Sequence, residues 1–451
     1  MFGFPGGPGG GGTLDDVTSA DGSVIVTTPA PGTRDLSVNG VLQLVDSYAV
    51  VNDSPAINAA LVALAARPHN NGVLQMPSGD HRLRSTINVP SGCSMVGAGK
   101  NATRLLIDDS LGNIGDGVSM VNPWACRISQ LRIGAVAPRT AGRAIFIKGG
   151  NTAIQPFFGA GGYLLSANET EVDQVDLDDQ FDGIVIENNL PAATWLAYIR
   201  NGRYGTMNGG DGIRLDTPGT VAGIDYGASF FVQRVFVTGL PGALTGNALH
   251  VKGAGDFTIE KFQSASTNIG CLIDPAVNGR LSTGRFSLCQ FDTATTFCTH
   301  IVPAFGAVFM DVAFDTCWFA GGGTHCLLAN GSSVNSLRVE NSFFFFAGQY
   351  HMVITGPLVG GGIKNVSVLG NQFSGAGTGG FRAVATASNF DVSHNSFYPS
   401  VVPPIAGMPQ AVTIDLGCTD FRVDANNWVN AAAGLLDNSG AVNKFVQAGN
   451  I

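Results

Sequence analysis

The chemistry-bearing residues of this chain crowd into one stretch. Glu169, Glu171, Asp173, Asp176, Asp178, Asp179 and Asp182 lie close together, and Arg200, Arg203, Asp211, Arg214 and Asp216 follow soon after. Two carboxylates can cleave a glycosidic bond, one protonating the leaving oxygen while the other acts as base or nucleophile. They stand roughly 5–5.5 Å apart for retention and roughly 6.5–9.5 Å apart for inversion. Asp178, Asp179, Asp182 and Asp211 are therefore the candidate catalytic carboxylates. Burial or a neighbouring like charge would raise the pKa of one of them and make it the acid. Arg203 and Arg214 are candidates to hold a sugar carboxylate or hydroxyl. The competing reading is a set of solvated turns, because Asp before Gly is ordinary turn chemistry. A second candidate set is His300, His325 and His351, spaced 25 and 26 residues apart. From it His325 and His351 are taken as substrate-binding, against the plainer reading of a polar row at a strand start. Glu260 and Glu340 are expected to face outward from a sheet.

Residues this far apart in sequence meet only if the chain returns to the same place about every 27 residues, and a repeat of that length is present. Short alternating runs end in an aromatic at Phe236, Phe262, Phe291, Trp318, Phe343, Phe373, Phe397 and Trp428, at intervals of 24 to 31 residues. Leu131, Val175 and Tyr204 continue the series upstream. In a solenoid, equivalent positions on neighbouring coils stack about 4.8 Å apart, so one aromatic per coil builds a packed row. One or two coils then supply either glycosidase separation. Asn341, Asn371, Asn395 and Asn426, each two residues before its aromatic, predict a stacked amide at a turn. Asp182-Gly183-Ile184, Asp211-Gly212-Ile213 and Asn247-Ala248-Leu249 predict a second strand per coil. The alternative fold is an all-β sandwich with regular turns.

Composition agrees with a turn-rich, well-buried chain. Of 451 residues 45% are hydrophobic and only 13% charged, with glycine about twice as common as usual and no three-residue period. The net charge of −9 and the lack of a basic patch argue against nucleic acid as a partner. No stretch of about 18 apolar residues occurs, so no membrane insertion is expected. The opening MFGFPGGPGGGG has neither a basic nor a long apolar region, which predicts no signal peptide and a flexible or draped segment. The eight cysteines have no CxxC spacing and read as buried free thiols of a reducing compartment. No metal site and no cofactor are expected. Ser23–Thr28 reads as a strand. Ser54 reads as the N-cap of an amphipathic helix with Pro55 at N1 and Ile57, Leu61 and Leu64 on its apolar stripe. The expected division is a Gly-rich attachment segment over 1–40, a capping helix and first coils over 41–106, the solenoid over 107–430 and a short C-terminal piece over 431–451.

The segments NDSPAINAALVALAA and GVLQMPSGDHRLRSTINVPSGCSMVGAGKNATRL, between Asn52 and Leu106, resemble the opening of the pectate-lyase-like β-helix superfamily. They are similar to the opening of many bacteriophage tailspikes and polysaccharide-degrading enzymes. The resemblance implies an all-β, right-handed parallel β-helix with an N-terminal capping α-helix that hides the first sheet edge. It also implies a homotrimer joined to other virion tail proteins through its N-terminal part. The Gly-His-Gly, Arg-Ile-Lys and Asn-Thr-Asp motifs of the polygalacturonases are absent, and only Asp178-Asp179 matches their Asp-Asp, so that activity is not expected.

Two functions fit. One is a tailspike or tail fibre, made in the host cytoplasm and carried on the virion, that depolymerises a bacterial surface polysaccharide by hydrolysis or lyase chemistry. The other is a non-catalytic fibre or adhesin for such a polymer. A secreted pectinase is a third reading, set back by the missing signal peptide. The run Phe343–Phe346 exceeds what one buried sheet face can take and predicts contact with a neighbouring chain.

Overall fold

A computed structural model describes residues 24–27, 34–38, 41–45, 53–66, 72–111, 115–149, 169–188, 196–216, 229–239, 246–357, 362–398, 408–429 and 433–447. The predicted flexible opening at 1–12 lies outside the described residues. From Gly72 onward the chain winds as a parallel β-solenoid of triangular cross-section. One coil shows the plan. Phe230–Gln233 lies on a first face, Phe236–Gly239 on a second and Asn247–Val251 on a third. Each strand pairs in parallel with its counterpart on the next coil, through Phe230↔Phe257, Phe236↔Gln263 and Asn247↔Ile269. Among the described residues the third face is a single sheet of 13 strands. The predicted strand near Ser23 is present as Val24–Thr27. It forms an antiparallel meander with Arg34–Val38 and Val41–Val45, whose last strand pairs in parallel with Gly72–Gln75.

The predicted helix runs Ser54–Ala65 and buries Ile57, Leu61 and Leu64 over the first coils, as the stripe requires. Its N-terminus differs from the expectation: Asp53, not Ser54, is the N-cap residue. Both side chains are drawn away from the helix to hold the next loop. Asp53 Oδ2 accepts from Arg82 N at 2.9 Å, and Ser54 Oγ accepts from Arg84 N at 3.1 Å.

The predicted aromatic row exists, with a one-residue correction. Phe291, Phe319, Phe344, Phe373, Phe397 and Trp428 occupy one register position on successive coils, and all but Trp428 are fully buried. Phe319, Phe344, Phe373 and Phe397 stack with centroids 4.6–4.7 Å apart. Phe236, Trp318 and Phe343 fall one position earlier and point outward, because alternate residues of a strand face opposite ways. Phe262 precedes the row by two, at the inward corner aligned with Cys289 and Cys317. The corner itself obscures the phase. One residue per coil there takes a left-handed conformation, among them Gln130 (φ 58), Lys261 (φ 53), Asn341 (φ 51) and Ala425 (φ 50), and this breaks the two-residue period.

The predicted amide stack is built by Asn371, Asn395 and Asn426, buried just after that corner. Asn395 Oδ1 accepts from Asn371 N at 2.9 Å, and Asn395 Nδ2 donates to Val368 O at 2.8 Å. Asn426 repeats the pattern one coil on. Asn341 is not a member; Ser342 takes its place, and its N–H donates to Asn371 Oδ1 at 2.8 Å. All eight cysteines are buried, and none is in a disulfide. Cys289/Cys298 and Cys317/Cys326 have equal spacing because Cys317 and Cys326 repeat Cys289 and Cys298 one coil later. Among the described residues no helix is long and apolar enough to cross a membrane.

Candidate functional site on the third face

The carboxylates proposed from sequence divide between two faces. Asp178 ends the strand Thr170–Asp178, whose last residues lie on the second face, and points outward to pair with Arg132. Asp179 follows at a left-handed corner (φ 57). Together with Arg104 and Arg132 they line a cleft of about 160 Å³. Arg203 is on the same face, exposed, with its N–H donating to Asp176 Oδ1 at 3.0 Å.

Asp182, Asp211 and Arg214 lie around that corner on the third face and come together. Asp182 begins the strand Asp182–Asn188, and Asp211 lies two residues before Ile213–Asp216 on the next coil, placing equivalent positions about 4.8 Å apart, near the separation of a retaining pair. Arg214 Nη1 contacts Asp182 Oδ2 at 3.2 Å and Asp211 Oδ2 at 3.4 Å. Asp211 N donates to Asp182 Oδ1 at 2.8 Å. The glycine after each Asp answers a packing need beyond turn chemistry. A Cβ at Gly183 would sit 2.2 Å from Gly212 O, and one at Gly212 would sit 2.5 Å from a methyl of Val237.

His250 and Asp274, missed in the sequence, complete the cluster. His250 Nδ1 lies 2.7 Å from Asp211 Oδ2 and its Nε2 lies 2.7 Å from Asp274 Oδ1, so the imidazole bridges two carboxylates. Asn247 Nδ2 donates to Asp211 Oδ1 at 2.8 Å. The signal was available by register: His250 follows Asn247 as Arg214 follows Asp211, and the two pair directly across the sheet.

Electrostatics push the two carboxyls apart. Burial raises the pKa of Asp182, against the lowering effect of Arg214. Burial also acts to raise Asp211, but hydrogen bonds from His250 and Asn247 and the charge of Arg214 outweigh it and hold that carboxyl below its usual range. For His250 burial disfavours the charge, yet Asp211 and Asp274 override it and bring the imidazole to about 9. A pair with diverging protonation states has the properties of a general acid beside a base or nucleophile.

The raised His250 pKa has a measurable consequence. Its folded value, about 9, lies above the ordinary 6.5, so the charged imidazole stabilises the fold fully below about 6.5. That contribution is lost as pH rises through about 9. The melting temperature of the native chain is expected to fall more between pH 7 and pH 10 than that of His250→Gln. Parallel falls would contradict the bridge.

The histidine row is corrected. His300 pairs with Leu328, His325 with Phe297, and His351 lies one residue beyond the His325 position, so the three occupy three registers. Their near-equal spacing comes from coils of unequal length. His325 faces outward, half-buried, beside Tyr350. His351 is wholly buried, its Nε2–H donating to Ser374 O at 2.9 Å, and burial drops its pKa to about 3. It cannot reach a polymer outside the solenoid. Glu260 and Glu340 face outward on the first face. Among the described residues no group of three or more His, Cys, Asp or Glu is arranged to hold a metal ion.

Solved structures share this architecture. The A-module of Azotobacter vinelandii mannuronan C-5 epimerase AlgE6 superposes with a TM-score of 0.55 at 13% identity, over 89% of this chain and 96% of that one. Tailspike protein 3 of bacteriophage CBA120 also gives 0.55 at 13% identity, over 89% of this chain and 60% of that one. The catalytic domain of a GH87 α-1,3-glucanase, in complex with tetrasaccharides, gives 0.51 at 10% identity, over 92% and 72%. The chain is a right-handed parallel β-helix. No family model matches this β-helix, and no curated protein sequence does. At such identities the likeness is one of fold, so the site must be argued from its own residues.

Proposed function

We propose that the chain is a bacteriophage tailspike or tail fibre that binds and depolymerises a bacterial surface polysaccharide, acting from the virion at the host surface. The observation that carries this reading is the third-face cluster, in which Asp182 and Asp211 stand one coil apart with oppositely shifted pKa values. Asp182 is the general acid, Asp211 the base or nucleophile, and Arg214 and His250 orient Asp211. Asp178, Asp179 and Arg203 on the adjoining face contact the polymer where it leaves the cluster. A phage tailspike and two polysaccharide-acting enzymes share the fold. Residues 1–40 are assigned the attachment to other tail proteins.

We also assign a homotrimer, packed through the solenoid flanks. Trp318 is 37% exposed and stacks on Phe343 at 4.6 Å on the second face. The stacked rings bury their faces in one another and present their edges, which suits protein packing better than sugar stacking.

The test is incubation of the purified chain with host surface polysaccharide, following reducing ends and the ultraviolet absorbance of unsaturated uronic acids. Reducing ends alone indicate a hydrolase; both signals indicate a lyase. No cleavage with binding retained would overturn the enzyme and leave the adhesin. Sedimentation velocity at three times the chain mass is expected, and a monomer would remove the trimer.

A further inference from the structure

Far from the carboxylate cluster, towards the C-terminal end of the first face, runs an open groove of about 510 Å³. One side is a ladder of polar side chains. Asn365, Asn389, Asp420 and Asn443 hold one register position on four successive coils. The first three adopt left-handed backbone (φ 56, 51 and 52), a conformation that Asn and Asp tolerate best after glycine. Asn365 Nδ2 donates to Asn335 Oδ1 at 2.6 Å, Asn389 Nδ2 donates to Asn365 Oδ1, and Asn443 Nδ2 donates to Asp420 Oδ1 at 3.1 Å. A carboxamide has two N–H donors and an oxygen with two lone pairs. The ladder uses one donor and one lone pair of Asn365 and one donor of Asn389, and leaves their other donors and lone pairs for a ligand.

The rest of the groove sets the ligand's charge. Its cations already carry carboxylates: Arg422 pairs with Asp424, and Lys444 Nζ lies 2.6 Å from Asp437. An anionic polymer would meet no uncompensated positive charge, and Asp391 and Asp420 would repel it. Phe445, 52% exposed, supplies an apolar ring at the groove's end. Rungs are spaced by one coil, about 4.8 Å. An extended β-1,4-linked hexose chain advances by close to the same distance per sugar.

We propose that this groove binds an uncharged, extended β-1,4-linked polysaccharide strand along the solenoid axis, as a second, non-cleaving site. Each sugar offers hydroxyls to one rung, and the site does not depend on the third-face carboxylates being catalytic. Where one polymer spans both sites, the second contact raises overall avidity without any new chemistry.

The test is calorimetric titration of the full chain with cellohexaose, mannohexaose and xylohexaose, and with hexamannuronate as the charged control. At least one neutral hexasaccharide is expected to bind, and hexamannuronate is not. The double variant Asn365→Ala/Asn389→Ala is expected to weaken that binding about tenfold or more. Ser367→Tyr, which fills the groove and leaves the ladder intact, is expected to do the same and carries the test if the double variant misfolds. Asp211→Asn is expected to leave groove binding unchanged, which separates this site from the third face. Failure of all three neutral probes to bind, or binding untouched by Ser367→Tyr, overturns the proposal.

Discussion

Asp211→Asn is expected to lower the rate of polymer cleavage by about a thousandfold with little change in binding, since a positioned proton-transfer group contributes roughly 10²–10⁴. Asp211 is the carboxylate held ionised, by His250 and Asn247 on one side and Arg214 on the other. An amide retains its shape but neither accepts a proton nor attacks a sugar. Asp182→Asn should produce a comparable loss through the other half of the reaction. Because burial raises the Asp182 pKa, this carboxyl stays protonated to higher pH than an ordinary aspartate. Under the proposed roles, cleavage by the native chain should therefore fall on the alkaline side as Asp182 ionises. Full activity in both variants would remove the cluster from catalysis. Unchanged melting temperatures are needed to exclude a folding effect, because both carboxylates are buried and bonded to neighbouring coils.

The second large effect separates two adjacent phenylalanines. Phe344 is fully buried and stacks on Phe319 at 4.6 Å and on Phe373 at 4.7 Å. Phe344→Ala should cost about 3–5 kcal/mol, from lost apolar burial and a cavity in a core with coils fixed above and below. Phe343 points outward and stacks on Trp318, so Phe343→Ala in the isolated chain should cost about 1 kcal/mol. Thermal unfolding of the two variants beside the native chain checks this. Equal losses would contradict the register and place Phe343 in the row.

Much of this fold was legible because solenoid packing writes itself into spacing. Phe291, Phe373 and Phe397 recur because each must meet its counterpart one coil away, and Asn371, Asn395 and Asn426 recur because each satisfies backbone groups of the coil before. The phase was less legible than the period. In Trp318-Phe319 and Phe343-Phe344 both residues are aromatic, so only cross-strand pairing tells which is inside. The left-handed corner residues gave no warning, since Gln130, Lys261 and Ala425 do not advertise that conformation.

The site was legible in part. Asp182, Asp211 and Arg214 stood out by the repeated Asp-Gly-Ile and by their charge. Asp178 and Asp179 are as close in sequence but lie across a corner on another face. His250 is a single histidine in an apolar strand and becomes visible only when Asn247 is aligned beneath Asp211. Asp274 lies beyond the end of the following strand, Ile269–Ile273, where no repeat marks it.

The most direct measurement is a crystal structure of Asp211→Asn bound to an oligosaccharide from the host's surface polysaccharide. The expected result is a sugar chain across the third face with a glycosidic oxygen within hydrogen-bond reach of Asp182 and its anomeric carbon facing position 211. An oligosaccharide bound only on the first or second face, with Asp182 untouched, would contradict a polymer-cleaving role for this cluster.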